Sequence, residues 1–175
     1  SLHLEPFLNP QPVMTREEFC RQAGLDSARP YLCYSAAAPA AVLNEELVVR
    51  HLLDAIDRGA IPGRPQVLVR LNPMEDGSRF QALAARVGLV IQKPQWEWNR
   101  AQDWCCALPA DVRRWVACVW HAALNVSVAS TVTLEFTALN RPVVNVCFDL
   151  PAPLPPAKSN RRFWDADFYS EIRER

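Results

Sequence analysis

The sequence predicts an α/β fold, a Rossmann-like parallel sheet of about five or six strands with helices on both faces. Three observations predict it. Strand-like runs alternate with segments of helical periodicity, the connections between them are short, and the strand-like runs are apolar along their whole length. Strands buried on both faces have this continuous apolar character, as parallel strands do. The 175 residues suffice for one domain with a sizeable core.

The first half of the chain contains three predicted strands and three predicted helices. Thr15, followed by two glutamates, is typical of a helix cap, and Gly24 stops the short helix that it begins. A second helix has apolar residues at helical spacing, and a third ends at Gly88. The predicted elements are helix 15–24, strand 31–35, helix 44–58, strand 66–70, helix 78–87 and strand 89–92.

The second half continues the alternation after one irregular stretch. Residues 93–109 show no clear period, although they carry Trp96, Trp98 and Trp104. We therefore predict a long irregular loop there. The elements predicted after it are helix 112–124, strand 125–128, helix 131–139 and strand 142–148.

Prolines divide the chain into three predicted parts. They gather near both ends, and proline-rich stretches are typical of extended connectors rather than packed elements. We predict a proline-rich interdomain connector at 1–14, a Rossmann-like domain at 15–150, and a proline-rich tail at 151–175 that leads toward a partner domain.

Composition excludes several classes of function. Acidic and basic residues balance at 19 each, so we expect no nucleic-acid partner. The six cysteines lack metal-ligand spacing, which predicts reduced cysteines and no metal. No signal peptide and no apolar run near 20 residues occur, so we expect a soluble, cytoplasmic protein without a membrane span. With five glycines and no glycine-rich phosphate loop, a nicotinamide dehydrogenase or an ATPase is disfavoured, and we expect no cofactor.

The clearest functional signal follows the strand predicted at 125–128. Ser130 and Thr131 come after this strand and precede the helix predicted at 131–139 without a gap. Unpaired backbone N–H groups at such a helix start, with the two hydroxyls, form a natural phosphate cradle. Glu135, one turn further, is positioned to accept hydrogen bonds from the hydroxyls of a ribose. The alternative is that Ser130 is an ordinary helix cap.

Residues 125–148 resemble the C-terminal domain of GT-B-fold glycosyltransferases. They are most similar to the bacterial group that includes CDP-glycerol glycerophosphotransferases and capsule polysaccharide enzymes, and the resemblance extends over residues 15–150. In that group a strand, a Ser-Thr pair, a glutamate four residues later and a turn into the next strand form the nucleotide-sugar site. The resemblance implies that Ser130 and Thr131 hold the diphosphate and that Glu135 holds the ribose.

Three further residues are candidates on neighbouring loops. Relatives often have Arg-x-His-Pro where this chain has Arg70-Leu71-Asn72-Pro73, so Asn72 can hydrogen-bond a ligand but cannot titrate near neutral pH. Arg70 can bind a phosphate, or it can form a structural salt bridge. Trp96 can stack on a base, or it can pack its own loop.

The resemblance implies the donor-binding half of a glycosyltransferase for nucleotide-diphosphate sugars. In that family a separate N-terminal domain supplies much of the acceptor site and usually the catalytic base. We therefore expect the catalytic residues outside this chain and predict that the chain is inactive alone. Two alternatives remain open: a domain of a UDP-sugar 2-epimerase, and a non-catalytic module that binds a nucleotide or a protein.

Overall fold

The computed structural model describes residues 4–9, 14–99, 101, 104–128, 130–151 and 154–164. The strands are β1 (Tyr31–Ser35), β2 (Gln66–Arg70), β3 (Leu89–Gln92), β4 (Trp96–Asn99), β5 (Trp104–Ala107), β6 (Leu124–Ser127) and β7 (Val143–Asn145). The helices are α1 (Glu5–Leu8), α2 (Arg16–Ala23), α3 (Glu45–Asp57), α4 (Pro109–His121), α5 (Val132–Ala138) and α6 (Arg161–Trp164), with a 3-10 helix at Ser78–Leu83.

Five of these strands form one parallel sheet in the order β3-β2-β1-β6-β7. The first strand is central, and in its register Ser35 lies between Arg70 of β2 and Ser127 of β6. Because all five strands run the same way, their carboxyl ends meet at one edge of the sheet. Ligands of open α/β sheets bind at this edge.

Hydrophobic clusters cover both faces of the sheet. Successive side chains of a strand point to opposite faces, so Leu32 and Tyr34 pack beneath α3 and the 3-10 helix. Tyr31 and Cys33 pack on the other face, against α2, α4 and α5. The predicted fold, a parallel sheet with helices on both faces, is confirmed. Within the described residues, no helix has the length and apolar character needed to cross a membrane.

The predicted start and stop of the short helix α2 are confirmed. The Thr15 hydroxyl accepts a hydrogen bond from the Glu18 amide at 3.2 Å, which is the expected cap. Gly24 ends the helix with φ +80°, a left-handed conformation that side chains disfavour.

Two predicted elements differ in type from the structure, and two others differ in their bounds. The helix predicted at 112–124 lies at Pro109–His121, and the strand predicted at 142–148 is limited to Val143–Asn145. The stretch 93–109 is not irregular, because β4 and β5 pair as an antiparallel hairpin. The two strands of the hairpin pair with each other and lie outside the main sheet. Because neither strand packs in the core of the sheet, the sequence does not show the regular spacing of apolar residues by which the other strands are predicted. The helix predicted at 78–87 is a short 3-10 helix at Ser78–Leu83, and its first amide, that of Ser78, donates to the Asp76 side chain at 2.8 Å.

The proline-rich ends contain packed segments. Residues 5–8 form one helical turn rather than an extended connector, because the Phe7 ring is buried in the cluster with α4 and α5. Residues 154–164 fold back onto the domain, where the Asn160 amide donates to Asp149 at 2.7 Å and Arg162 donates to the Ala41 carbonyl. These contacts place the Phe163 ring beside the carboxyl edge of the sheet.

Candidate functional site

A cleft of about 640 Å³ opens at the carboxyl ends of β1 and β2. Its base is formed by the loops that follow these two strands. The hairpin, the first turns of α4, the start of α5 and residues 4, 6 and 7 complete the lining. The lining is mostly apolar, as small-molecule sites usually are.

The cleft brings together the substrate-binding residues that the sequence predicts. They come from the end of β2 and the turn after it, from the hairpin, and from the start of α5, and the first and the last are 65 positions apart in the chain. The parallel sheet brings the β2 and α5 residues to one edge, and the hairpin, which is a separate sheet, adds Trp96. The residues are Arg70, Asn72, Trp96, Ser130, Thr131 and Glu135.

The turn that begins α5 differs from the predicted phosphate cradle. The Val132 amide donates to the Ser130 hydroxyl at 3.3 Å, and the Thr133 amide donates to the Ser130 carbonyl at 3.0 Å. The Leu134 amide donates to the Thr131 carbonyl at 2.9 Å. These three amides are therefore already engaged within the turn, contrary to the prediction that they are unpaired. The reason is that the turn is tight. Its amides donate to oxygens within the turn, and so they are not available to donate to the phosphate of a ligand.

Glu135 borders the cleft with one oxygen engaged. Its Oε2 accepts a hydrogen bond from the Trp115 indole at 2.6 Å. Its Oε1 has no hydrogen-bond partner among the described residues. Burial raises the pKa of Glu135 to about 7, while the indole N–H and the positive charge of Arg70 act in the opposite direction. A carboxylate with spare acceptor capacity at a cleft can bind hydroxyl or N–H donors, and one with a pKa near 7 can also exchange a proton.

Arg70 is the centre of a buried structural cluster. Its guanidinium donates to Asp111 Oδ2 at 2.5 Å and to the Gln92 side chain at 2.9 Å. The same group lies 5.3 Å from the centroid of the Trp115 ring. These contacts favour the salt-bridge interpretation of Arg70 over direct phosphate binding. Sequence reasoning missed Asp111, which looked like an ordinary residue in the first turn of a helix.

Asp111 retains one unused acceptor. Its side chain is 2% exposed, and the buried Oδ1 atom has no hydrogen-bond partner among the described residues. Asp111 also lines the cleft, so two carboxyl groups, Asp111 and Glu135, border the same space.

The two remaining candidates, Asn72 and Trp96, line the cleft from different elements. Asn72 accepts a hydrogen bond from the Met74 amide at 2.9 Å and so closes the turn after β2. Trp96 is half-buried and belongs to the hairpin wall. The neighbouring Trp98 points outward with 45% of its surface exposed. The side chain of Trp104 lies outside the described residues.

A buried polar chain, also missed from the sequence, connects the strand ends below the cleft. The Ser35 hydroxyl donates to Asn125 at 2.7 Å, and the Asn125 amide donates to the Ser127 hydroxyl at 3.3 Å. Asn145 accepts from both Ser127, at 3.4 Å, and Thr133, at 3.2 Å. The chain ties the first turn of α5 to β6 and β7 and thus positions the turn that carries Ser130. The signal that could have revealed it is an asparagine inside an apolar strand.

The charges along the cleft do not favour a free anion. Among the described lining residues Arg70 is the cation, and Asp111 neutralises it, while Glu135 adds a further carboxyl group. The described residues also contain no group of three or more histidine, cysteine or acidic side chains that could hold a metal ion.

Neither a protein-family model nor a curated protein sequence matches the chain. Among solved structures, its fold is similar to that of the UDP-GlcNAc 2-epimerase of Methanocaldococcus jannaschii, solved in complex with UDP-GlcNAc and UDP. The TM-score is 0.52 at 13% sequence identity, and the match covers 83% of this chain and 36% of the epimerase chain. This likeness shows the fold alone, and the chain spans well under half the length of that enzyme.

Proposed function

We propose that this chain is the nucleotide-sugar-binding half of a two-domain enzyme with a GT-B-like fold, the donor domain of a glycosyltransferase. The observation that carries the proposal is the cleft itself. Six residues selected from the sequence alone line one space at the carboxyl edge of a parallel sheet, where such folds bind ligands. The resemblance to the glycerophosphotransferase and capsule polysaccharide group suggested those residues.

Each side chain has a proposed role in binding the donor. Glu135 accepts hydrogen bonds from the ribose through Oε1, which has no partner among the described residues. The hydroxyls of Ser130 and Thr131 contact the diphosphate, and Trp96 stacks on the base. Arg70 supports the wall through Asp111 and contacts the phosphate only indirectly.

The catalytic base and additional positive charge are proposed to come from an N-terminal acceptor domain. The described lining residues offer no unpaired cation. A nucleoside diphosphate, in contrast, carries about two to three negative charges at neutral pH. A second domain facing the cleft would supply the missing cations. The isolated chain would then bind the donor weakly and would not turn it over.

A second candidate is a domain of a UDP-sugar 2-epimerase. Epimerisation needs acid-base groups, and two carboxyl side chains, Asp111 and Glu135, line the cleft. The pKa of Glu135, about 7, is suited to proton transfer near neutral pH. The solved structure similar in fold is such an epimerase, so this candidate also has a structural precedent.

Calorimetric titration of the chain with UDP, CDP and GDP tests both candidates. We expect one of them to bind with a dissociation constant near or below about 1 mM. Glu135→Ala should weaken that binding about tenfold, because a hydrogen bond to a charged group is lost. Glu17→Ala is the matched control, since Glu17 is an exposed glutamate on α2 away from the cleft. If none of the three nucleotides binds at millimolar concentration, both candidates are wrong.

The two candidates separate once the chain is joined to its partner domain. Turnover of a UDP-sugar without any acceptor, detected as the 2-epimer by NMR, would favour the epimerase. Transfer that requires an acceptor would favour the glycosyltransferase.

A further inference from the structure

The Trp115 indole links the charged cluster around Arg70 to the cleft carboxylate. Its Nε1 donates to Glu135 Oε2 at 2.6 Å, while its ring lies 5.3 Å below the Arg70 guanidinium. Neither the sequence patterns nor the proposed function assigns this tryptophan a role.

The ring is held from two sides. On one side Arg70 covers it, and Asp111, one helical turn earlier on α4, fixes Arg70 through an ion pair of 2.5 Å. On the other side Phe136 meets it edge-on, with the ring centroids 6.0 Å apart. Because packing fixes the ring, it also fixes the direction in which the indole N–H points.

We propose that Trp115 is a positioning residue that orients the Glu135 carboxylate toward the ligand. The indole occupies Oε2, so Oε1 is the acceptor left for a ligand hydroxyl. The inference rests on the proposed function for the identity of the ligand, a nucleotide whose ribose carries that hydroxyl. The hydrogen bond between the indole and the carboxylate is independent of the proposed function, because the chain makes it without any ligand.

The contact also sets the charge of Glu135. Burial raises its pKa to about 7, and the indole hydrogen bond is the largest influence in the opposite direction, followed by Arg70. The other charged side chain along this part of the cleft is Asp111. If the indole N–H is removed, the carboxyl group holds its proton to higher pH. A protonated carboxyl is a poorer acceptor, so binding through Oε1 weakens.

The first test needs no ligand. In the wild-type chain labelled with ¹⁵N, we expect one indole N–H resonance to shift with a midpoint near pH 7 as Glu135 titrates, and we expect this shift to disappear in Glu135→Gln. Trp115→Phe, which keeps an aromatic ring and loses the donor, identifies the resonance. If no indole resonance responds to Glu135, the proposal is overturned, whether or not a nucleotide binds.

The second test follows nucleotide affinity against pH. In Trp115→Phe we expect the Glu135 midpoint to rise to about 8, the change expected from losing one hydrogen bond to a charged group. Affinity at pH 7 should then fall about fivefold, and the deficit should narrow toward pH 9, where Glu135 is ionised in both proteins. A deficit that is the same at every pH would contradict the statement that the indole sets the charge of Glu135, and an unchanged affinity at every pH would overturn the positioning role. Absence of any nucleotide binding by the wild type would count against the proposed function and leave the indole titration to decide this inference.

Discussion

Two glutamates in this domain have the same perturbed pKa and different surroundings. Burial raises the pKa of Glu45 and of Glu135 to about 7 in each case. Glu45, at the start of α3, is fully buried and accepts hydrogen bonds from the Tyr34 hydroxyl, the Ala37 amide and the Arg79 guanidinium. Glu135, in the first turn of α5, accepts one hydrogen bond from the part of the chain that the structure describes, and it borders the cleft.

The comparison shows that a shifted pKa does not by itself identify a functional residue. Both shifts have burial as their largest cause. The hydrogen-bond inventory separates the two sites, because Glu45 has donors on both oxygens and Glu135 keeps one oxygen for a ligand. A buried carboxylate whose acceptors are filled is structural, whereas one with unused capacity at a cleft is a candidate for binding or catalysis.

The Glu45 network has a definite structural task. Arg79 donates to Glu45 at 2.6 Å, to the Ala37 carbonyl at 2.9 Å and to the Val42 carbonyl at 3.1 Å, and it also pairs with Glu75. These contacts fix the loop after β1, which forms the base of the cleft. Glu45 therefore acts on the site only through the shape of this loop.

The largest expected effect comes from truncating the structural glutamate. Glu45→Ala leaves the Arg79 charge less compensated and the Tyr34 and Ala37 donors without their acceptor, so we expect a loss of about 3 to 5 kcal/mol in the free energy of unfolding. Glu135→Ala should change it by less than about 1 kcal/mol, because a desolvated carboxyl is removed together with one hydrogen bond. Urea denaturation of both variants measures the difference. Equal losses would break the distinction between the two sites.

A somewhat smaller effect is expected at Arg70, which extends the comparison to a buried cation. Arg70→Leu leaves the Asp111 carboxylate buried without its partner, and we expect a loss of about 3 kcal/mol in the free energy of unfolding. Adding Asp111→Asn should restore at least half of the loss, because the second change removes the unpaired charge. The same denaturation measurement applies to the single and the double variant. Unchanged stability with abolished nucleotide binding would instead indicate that Arg70 contacts the ligand directly.

The smallest of these effects is the dependence of stability on pH. Both glutamates hold a proton more tightly in the folded chain than in the unfolded chain, where the pKa is about 4.5. Their contribution to stability is therefore complete below pH 4.5 and is lost as the pH rises to about 7. We expect each glutamate to lower the free energy of unfolding by about 2 to 3 kcal/mol over this range. Chemical denaturation at pH 5 and pH 7.5 measures this change in the free energy of unfolding. In Glu135→Gln the change should be smaller, because only Glu45 then contributes to it. A rising free energy would contradict the raised pKa values.

Much of the fold could be predicted because the local signals agree with the final structure. The apolar runs at 31–35, 66–70 and 89–92 coincide with β1, β2 and β3, and the helix stop at Gly24 is where the chain turns. The hairpin could not be predicted in the same way. Its strands pair with each other outside the core, and apolar periodicity reports contact with the core.

The site was predicted only as a set of positions. That Glu135 and Arg70 reach one cleft follows from placing both at the carboxyl edge of a parallel sheet. The hydrogen-bond partners of Arg70 and Glu135 do not follow from their position at this edge. Arg70 meets Asp111 across 41 positions, and Glu135 meets Trp115 across 20, and no local pattern encodes either pairing.

The sequence by itself determined the class of fold, the bounds of β1, β2 and β3 and the edge at which a ligand would bind, because these depend on residue types repeated along short stretches of chain. The tertiary structure decided which polar groups are used up and which remain available. In the folded chain Arg70 pairs with Asp111, and the first amides of α5 donate to oxygens of their own turn. Glu135 accepts a hydrogen bond at Oε2, and its Oε1 has no partner among the described residues. Such an inventory depends on distances between residues remote in sequence, and only the folded chain defines those distances.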